Sequence, residues 1–193
     1  SYNDFIRAYA ACCRFADAQI GRVLDALDSS PRRDNTIVVL WSDHGFHLGE
    51  KDHIEKFGLW EKTNRIPLIV VAPGVTAAGS RCDTPVDLSV LYPTLLELGG
   101  LPADSKCDGV SIMKILKEPK TEWERPAIMT YGLGNHAVRS NRWRYIRYAD
   151  GTEELYDHMK DPQEWTNLAA DPKYKDVITC LLYTSPSPRD SSQ

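Results

Sequence analysis

An acid and an imidazole stand side by side directly after an apolar run of the sequence. Asp43 and His44 follow Thr36–Trp41, a run typical of a buried strand. In open α/β sheets, ligands bind beyond the carboxyl ends of the strands. Carboxylate oxygen suits hard cations and imidazole suits many metals, so the pair is a candidate metal site. A helix cap or a loop hydrogen bond is the simpler alternative for Asp43.

A lysine follows the acid–imidazole pair within the same long polar loop. Lys56 ends a stretch that also contains His47 and His53. A divalent cation together with a lysine forms a site for a tetrahedral oxyanion such as sulfate or phosphate. The alternatives stay open: Lys56 as a solvated charge, His53 as an exposed loop residue, and His47 as an imidazole that does not bind the metal directly.

Helices and strands that alternate along residues 1–119 must position this loop. Apolar residues recur at spacings of three and four from Asp4 to Asp28, which predicts an amphipathic helix. Buried strands are expected at Thr36–Trp41 and Ile66–Ala72, and a second helix is expected after Asp87, which can cap it. The alternation predicts an α/β fold with a mainly parallel sheet and helices on both faces.

Residues 120–179 differ in character from the preceding part. Short strand-like runs separated by turn signals predict a small antiparallel carboxy-terminal sheet. The runs are Ala127–Tyr131, His136–Ser140, Arg144–Tyr148 and Glu154–Tyr156. We therefore expect an α/β part at residues 1–119 and a small subdomain at residues 120–179.

Residues 180–193 break with the sequence before them. From Cys180 onward the composition turns to serine and proline. The stretch matches the translation of a common transposon-based sequencing adapter, so we predict that it is not evolved protein and that it is disordered. The alternative is a disordered Ser/Pro tail of the protein itself.

Composition and charge exclude several classes of protein. The 193-residue chain has a formal net charge of −4, whereas a nucleic-acid-binding surface needs a basic stripe. No apolar run approaches the length of a membrane span. Five cysteines without a Cys-x-x-Cys pair argue against a disulfide scaffold and a zinc knuckle. Ser1 is followed by no signal-peptide pattern, so we expect the chain to begin inside a larger protein.

The order and spacing of several segments resemble the sulfatase family of the alkaline-phosphatase-like superfamily, and most of all its iduronate sulfatase and choline sulfatase branch. The resemblance extends from Tyr2 to about Tyr174. The segments that carry it are Thr36–Gly45, His47–Glu50, Arg65–Ile69, Asp87–Leu88, Tyr92–Leu95, Gly100–Pro102, Glu154–Asp157, Asp161–Pro162 and Glu164–Leu168.

The resemblance implies a sulfuric ester hydrolase with a calcium ion, a formylglycine nucleophile made from a cysteine, and a lysine that binds the sulfate. Asp43 matches a metal ligand of the family, and His44 matches the neighbouring position that contacts the metal in the iduronate sulfatase branch. Lys56 matches the sulfate-binding lysine, with Lys62 as the second choice. His53, in the same loop as Lys56, is a further candidate for lining the substrate pocket.

Two features of the family are missing from this sequence: the formylglycine motif Cys-x-Pro-Ser-Arg and the paired aspartates that complete the metal shell. The resemblance therefore implies a carboxy-terminal part of a sulfatase that is inactive by itself. It also implies an exported enzyme whose substrate is a sulfated sugar, glycan or small organosulfate. The alternatives are a phosphodiesterase or phosphonate hydrolase of the same superfamily, and a non-catalytic relative that binds a metal or an anion.

Overall fold

The computed structural model describes residues 1–184, where helices and short strands alternate first and strands dominate later. The helix expected from Asp4 to Asp28 is confirmed. Within the described range, no helix has the length and apolar character needed to cross a membrane. The α-helices are α1 (Tyr2–Asp28), α2 (Glu61–Asn64), α3 (Leu91–Leu98), α4 (Met113–Lys117) and α5 (Lys175–Thr184). Single 3₁₀ turns occupy Arg33–Asn35, Glu50–Asp52, Leu88–Val90 and Pro172–Tyr174.

The strands of residues 1–184 form three separate sheets. Two sheets contain two strands each, β1 with β4 and β2 with β3, and the third contains four strands in sequential order. The strands are β1 (Val38–Trp41), β2 (His47–Leu48), β3 (Ile54–Glu55), β4 (Leu68–Val71), β5 (Ala127–Thr130), β6 (His136–Arg139), β7 (Trp143–Arg147) and β8 (Glu153–Asp157).

The two strands expected in the α/β part exist, but the pair that they form in the described chain is antiparallel, so the expected mainly parallel sheet is not seen within it. Strand β1 pairs with β4 antiparallel, with Val38 opposite Val71 and Trp41 opposite Leu68. A parallel neighbour needs a crossover connection, usually a helix. The only α-helix between these strands is the single turn α2, so the chain doubles back instead. The described chain is thus mixed α/β, with every strand pair antiparallel.

The carboxy-terminal sheet confirms the four strands expected from short strand-like runs separated by turn signals. Successive side chains of a strand point to opposite faces, so the sheet can pack on both sides. One face packs against α5 and the other against the chain segment around Leu59. The first core contains Val138, Tyr145, Leu155, Ile178 and Leu181. The second core contains Leu59, Ala137, Ile146 and Tyr156.

Helix α5 runs into the segment that the sequence predicts to be disordered. Residues 180–184 are helical rather than disordered, and residues 185–193 lie outside the described range. The physical reason is burial: Leu181 lies one turn after Ile178 and is only 7% exposed. Both side chains therefore face the same sheet.

Helix α1 is amphipathic, but its apolar stripe is hardly covered. None of its residues is buried, and Phe15 and Val23 are among its exposed side chains. Its visible anchor is aromatic: the rings of Phe5 and Tyr9 lie 6.2 Å and 5.2 Å from the ring of Phe46. The helix thereby contacts the loop that follows β1.

Candidate functional site

The acid–imidazole pair lies just beyond the end of strand β1. Strand β1 ends at Trp41, and Asp43 and His44 follow after one residue. The hydroxyl of Ser42 donates a hydrogen bond to the backbone carbonyl of His44 at 2.9 Å. This bond holds the turn in which both side chains leave the strand.

Two backbone hydrogen bonds press the residues after this pair against helix α2. The N–H of Gly45 donates to the carbonyl of Thr63 at 2.8 Å, and the N–H of Phe46 donates to that of Lys62 at 2.9 Å. A Cβ atom on Gly45 would lie 2.1 Å from the Lys62 carbonyl oxygen, so only glycine fits this approach. Lys62 thus supports the loop through its backbone, and sulfate binding by its side chain stays a prediction.

The Asp43 and His44 side chains present two donor atoms toward one point. His44 Nδ1 lies 2.8 Å from the carbonyl oxygen of Gly45. Because a carbonyl oxygen can only accept, the ring proton is assigned to Nδ1, and Nε2 keeps its lone pair. That Nε2 lies 3.5 Å from Asp43 Oδ2. The Asp43 side chain is 81% exposed, which leaves it open to a ligand.

This arrangement fits a divalent cation as a partial site. Calcium ligands lie about 2.3–2.6 Å from the ion, so two donors 3.5 Å apart can share one ion. The second ring nitrogen of a metal-binding histidine usually donates to a carbonyl or carboxylate, as His44 does here. Calcium takes about six to eight oxygen ligands, so this pair would supply a minority of the shell.

Lys56 is exposed, and its described contact is with the ring of Phe57 rather than with Asp43 or His44. Its ammonium group is 5.6 Å from the centroid of the Phe57 ring, which in turn is 5.9 Å from the ring of Tyr131. No described hydrogen bond or ion pair joins Lys56 to Asp43 or His44. Its place in a shared oxyanion site therefore stays a prediction.

His47 and His53 belong to a small aromatic cluster. Their ring centroids are 5.2 Å apart, and each lies 5.7 Å from the ring of Trp60. His47 is 1% exposed, and its burial lowers its pKa below the ordinary value of histidine. Neither Nε2 atom has a hydrogen-bond partner among the described residues. The packing of His53 gives no sign of a substrate contact, and that role stays a prediction.

A buried network of charged side chains joins α2 to the carboxy-terminal sheet. The Arg144 guanidinium lies 2.5 Å from a carboxylate oxygen of Glu61 and 2.7 Å from one of Glu164. Arg139 Nε lies 3.3 Å from Glu61, and His158 Nε2 lies 2.8 Å from Glu164. The backbone N–H of Glu61 also donates to the Glu164 carboxylate at 2.8 Å.

Three members of this network have the chemistry of metal ligands. Donor atoms of Glu61, His158 and Glu164 lie within 4.8 Å of one another. Two fixed guanidiniums, those of Arg139 and Arg144, already neutralise the two carboxylates and would repel a cation. We therefore assign the network to structure rather than to metal binding.

The charges of this network keep Glu61 ionised. Burial by itself raises the pKa of Glu61, but the Arg144 and Arg139 guanidiniums outweigh it and bring the pKa below the ordinary value. The network could not be read from the sequence, because Arg144 and Glu61 are 83 residues apart.

A cavity of about 980 Å³ lies beside this network rather than beside the acid–imidazole pair. Its polar walls include Arg65, Arg139 and His158. Asp43 and Lys56 do not line it. The cavity and the candidate cation site are therefore separate places on the described chain.

Comparisons with known proteins place these observations in a family. The sulfatase family model matches residues 2–101. A sulfatase of Formosa agariphila is 46% identical over 180 residues, an alignment that covers 93% of this chain and 35% of that protein. The chain spans about a third of the length of the curated relatives it matches.

Solved structures show the same fold. A structure described as a 2-O GAG sulfatase superposes with a TM-score of 0.78 at 29% identity, covering 92% of this chain and 41% of that one. The phosphonate monoester hydrolase of Agrobacterium radiobacter superposes with a TM-score of 0.77 at 27% identity, covering 87% of this chain and 38% of that one. With the family model matching more than half of its residues, this chain belongs to the sulfatase family.

Proposed function

We propose that the complete protein containing this chain is a metal-dependent sulfatase, which hydrolyses the sulfuric ester of a sugar or a small organic molecule. The observation that carries the proposal is the pair of donors at the end of β1, with Nε2 of His44 3.5 Å from Asp43 Oδ2, in a member of the sulfatase family. The formylglycine nucleophile would lie outside this chain, because the sequence has no Cys-x-Pro-Ser-Arg motif.

The residues of this chain would bind and hold charge. Asp43 supplies an anionic oxygen and His44 a lone pair to a divalent cation, for which we propose calcium. A bound cation polarises the oxygens of the ester. Lys56 would place its ammonium where negative charge grows as the ester bond breaks. Lys62 is the second choice for this role, and His53 would lie near the substrate.

The mainly parallel sheet of the alkaline-phosphatase-like superfamily would be completed by strands outside this chain. Within the described residues, β1 pairs with β4 on one side only. The side chains of Ile37, directly before β1, and of Trp41, its last residue, are exposed. Such an open, apolar edge is what natural proteins cover or pair.

A phosphonate hydrolase is the second candidate. The likeness to the Agrobacterium radiobacter hydrolase is about as strong as that to the sulfatase structure. Both chemistries need a cation and an oxyanion-binding lysine, so this chain alone does not separate them. A non-catalytic relative that kept the anion pocket would bind calcium but turn over neither class of ester.

The deciding experiment uses the full-length, matured protein. We expect calcium-dependent hydrolysis of 4-nitrophenyl sulfate that exceeds hydrolysis of 4-nitrophenyl phenylphosphonate. Asp43→Asn should lower calcium affinity in a titration and lower activity in parallel, because one ligand charge is lost. Calcium binding that is unchanged in Asp43→Asn would contradict the assignment of the metal site.

The lysine is tested separately. Lys56→Ala should lower kcat roughly 10²- to 10³-fold, with a smaller change in KM, since its charge acts mainly in the transition state. Lys62→Ala is the matched control and should retain most activity. If Lys62→Ala shows the large loss of kcat instead, Lys62 rather than Lys56 binds the sulfate.

A further inference from the structure

The segment that leads into Lys56 has an unusual backbone. Lys51, Asp52 and Glu55 adopt φ angles of +58°, +54° and +88°. Non-glycine residues with positive φ are uncommon, and strained residues of this kind persist only where surrounding contacts impose them. Three of them lie within the five residues before Lys56. Some contact outside the segment must therefore hold it in shape.

Lys51 makes such a contact, in addition to the packing of His53 against Trp60. Its ammonium donates to the hydroxyl of Tyr156 at 3.2 Å and to the backbone carbonyl of Glu164. It also lies 5.1 Å from the ring centroid of Trp60 and 4.7 Å from that of Tyr156. Cation–π attraction of this kind strengthens when the charge is shielded from water. The side chain is thus drawn across from the loop onto the carboxy-terminal sheet.

The receiving end of this contact is rigid. Tyr156 is only 3% exposed, and its hydroxyl donates to Glu154 at 2.7 Å. The side chain of Glu164 is fixed by Arg144 and His158, at 2.7 Å and 2.8 Å. The backbone of Glu164 is itself left-handed, at φ +61°, which sets the direction of the carbonyl that Lys51 meets. The anchor is therefore part of the buried ionic network.

Hydrogen bonds and the β2–β3 pair connect Lys51 to the segment that leads into Lys56. The N–H of Gly49 donates to the carbonyl of His53 at 3.0 Å, and the N–H of His53 donates to that of Glu50 at 3.1 Å. Strands β2 and β3 pair directly across this turn, with His47 opposite Glu55. A displacement of Lys51 would therefore pass through β3 to Lys56, the next residue after it.

We propose that Lys51 is a positioning residue: by docking on the carboxy-terminal sheet, it holds the strained segment and sets where Lys56 presents its ammonium to the oxyanion. This inference rests on the proposed function. It gives the carboxy-terminal sheet a part in the reaction although none of its own residues needs to touch the substrate.

A double-mutant cycle in the full-length, matured protein tests the proposal. Lys51→Met should lower kcat for 4-nitrophenyl sulfate about tenfold, with KM changed less than threefold, and should weaken inhibition by inorganic sulfate. If Lys51 acts through Lys56, adding Lys51→Met to Lys56→Ala should lower kcat no more than twofold further. A full tenfold further loss would mean that Lys51 acts independently and would overturn the proposal.

Lys173→Met is the matched control. The ammonium of Lys173 lies 4.7 Å from the ring centroid of Tyr174, the same distance as in the Lys51–Tyr156 contact. Lys173 is exposed, however, and Tyr174 packs against the first core, whereas Tyr156 belongs to the second. This variant should leave kcat unchanged alone and combined with Lys56→Ala. Should Lys51→Met fail to fold, Tyr156→Phe removes one hydrogen bond, keeps the ring, and should give a smaller loss that is likewise absent in Lys56→Ala.

The outcome also separates this proposal from the proposed function. If the wild type hydrolyses the sulfate ester but the kcat losses of Lys51→Met and Lys56→Ala multiply in the double variant, only the role of Lys51 is overturned. Wild type that hydrolyses 4-nitrophenyl phenylphosphonate but not the sulfate ester would overturn the sulfatase assignment, and the same cycle run on the phosphonate would still test Lys51. Turnover of neither ester would overturn both.

Discussion

Replacing Arg144 by methionine should open the joint between helix α2 and the carboxy-terminal sheet. The Arg144 side chain is 2% exposed, and its guanidinium forms ion pairs with the carboxylates of Glu61 and Glu164. It also donates a hydrogen bond to the carbonyl of Leu59 at 2.8 Å. Methionine keeps much of the apolar stem but none of the donors. The Glu61 and Glu164 carboxylates would then keep the guanidinium of Arg139, the ring of His158 and, at 4.0 Å, the guanidinium of Arg65.

The expected loss of stability follows from the burial of Arg144 and Glu164, whose side chains are each 2% exposed. Removing one member of a buried ion pair costs about 3–5 kcal/mol, because the other charge is left without compensation. Since about 1.4 kcal/mol corresponds to a factor of ten, the joint should open roughly 10²- to 10³·⁵-fold more often. The N–H of Glu61 is the natural reporter, because it donates to the Glu164 carboxylate and is released when the joint opens.

Hydrogen exchange measured by mass spectrometry on the full-length protein provides the assay. Exchange in peptides that contain Glu61 should accelerate by two to three and a half orders of magnitude in Arg144→Met. Arg81→Met is the matched control, because Arg81 forms its 3.2 Å ion pair with Asp83 at a site where both side chains are well exposed. The control should change stability by less than about 0.5 kcal/mol. Acceleration below about tenfold in Arg144→Met would refute the view that the network holds the joint.

Stability of the protein should fall with acid in two windows. Burial lowers the pKa of His47, so below about pH 6.5 the unfolded chain binds a proton more readily than the folded chain, and stability falls. The pKa of Glu61 is also lowered, because the Arg144 and Arg139 guanidiniums outweigh its burial, so further stability is lost below about pH 4.3. Urea midpoints across pH 3–8 check both, and His47→Asn should flatten the upper window. Gly45→Ala should destabilise by at least about 1–3 kcal/mol through its contact with backbone, whereas Gly58→Ala, whose Cβ would meet its neighbours at 3.4 Å or more, should be nearly neutral by the same measurement.

Local patterns were enough to predict most elements of the described chain. The spacing of three and four between apolar residues predicted α1, and short strand-like runs between turn signals predicted all four strands of the carboxy-terminal sheet. Asp87 was expected to cap the next helix, and its side chain does accept the N–H of Ser89, at the 3₁₀ turn before α3. These features depend on residues close together in the sequence.

Features that depend on distant residues were beyond reach of such patterns. Nothing in the apolar composition of β1 and β4 distinguishes parallel from antiparallel pairing; the lack of a crossover helix between them decides it. Lys51 looked like one charge among several, because its partners are 105 and 113 residues away. That Asp43 and His44 lie close together was predictable because they are sequence neighbours, whereas the position of Lys56 depends on the fold around it.

The bare stripe of helix α1 has a consequence for anyone who handles this polypeptide. At 27 residues the helix is about 40 Å long, and side chains such as Phe15 and Val23 face outward along it. Monomeric soluble proteins rarely leave a continuous apolar stripe of that length uncovered. We therefore expect the polypeptide, when it is produced by itself, to aggregate at high concentration. Polar replacements along the stripe would be the first step toward a well-behaved sample.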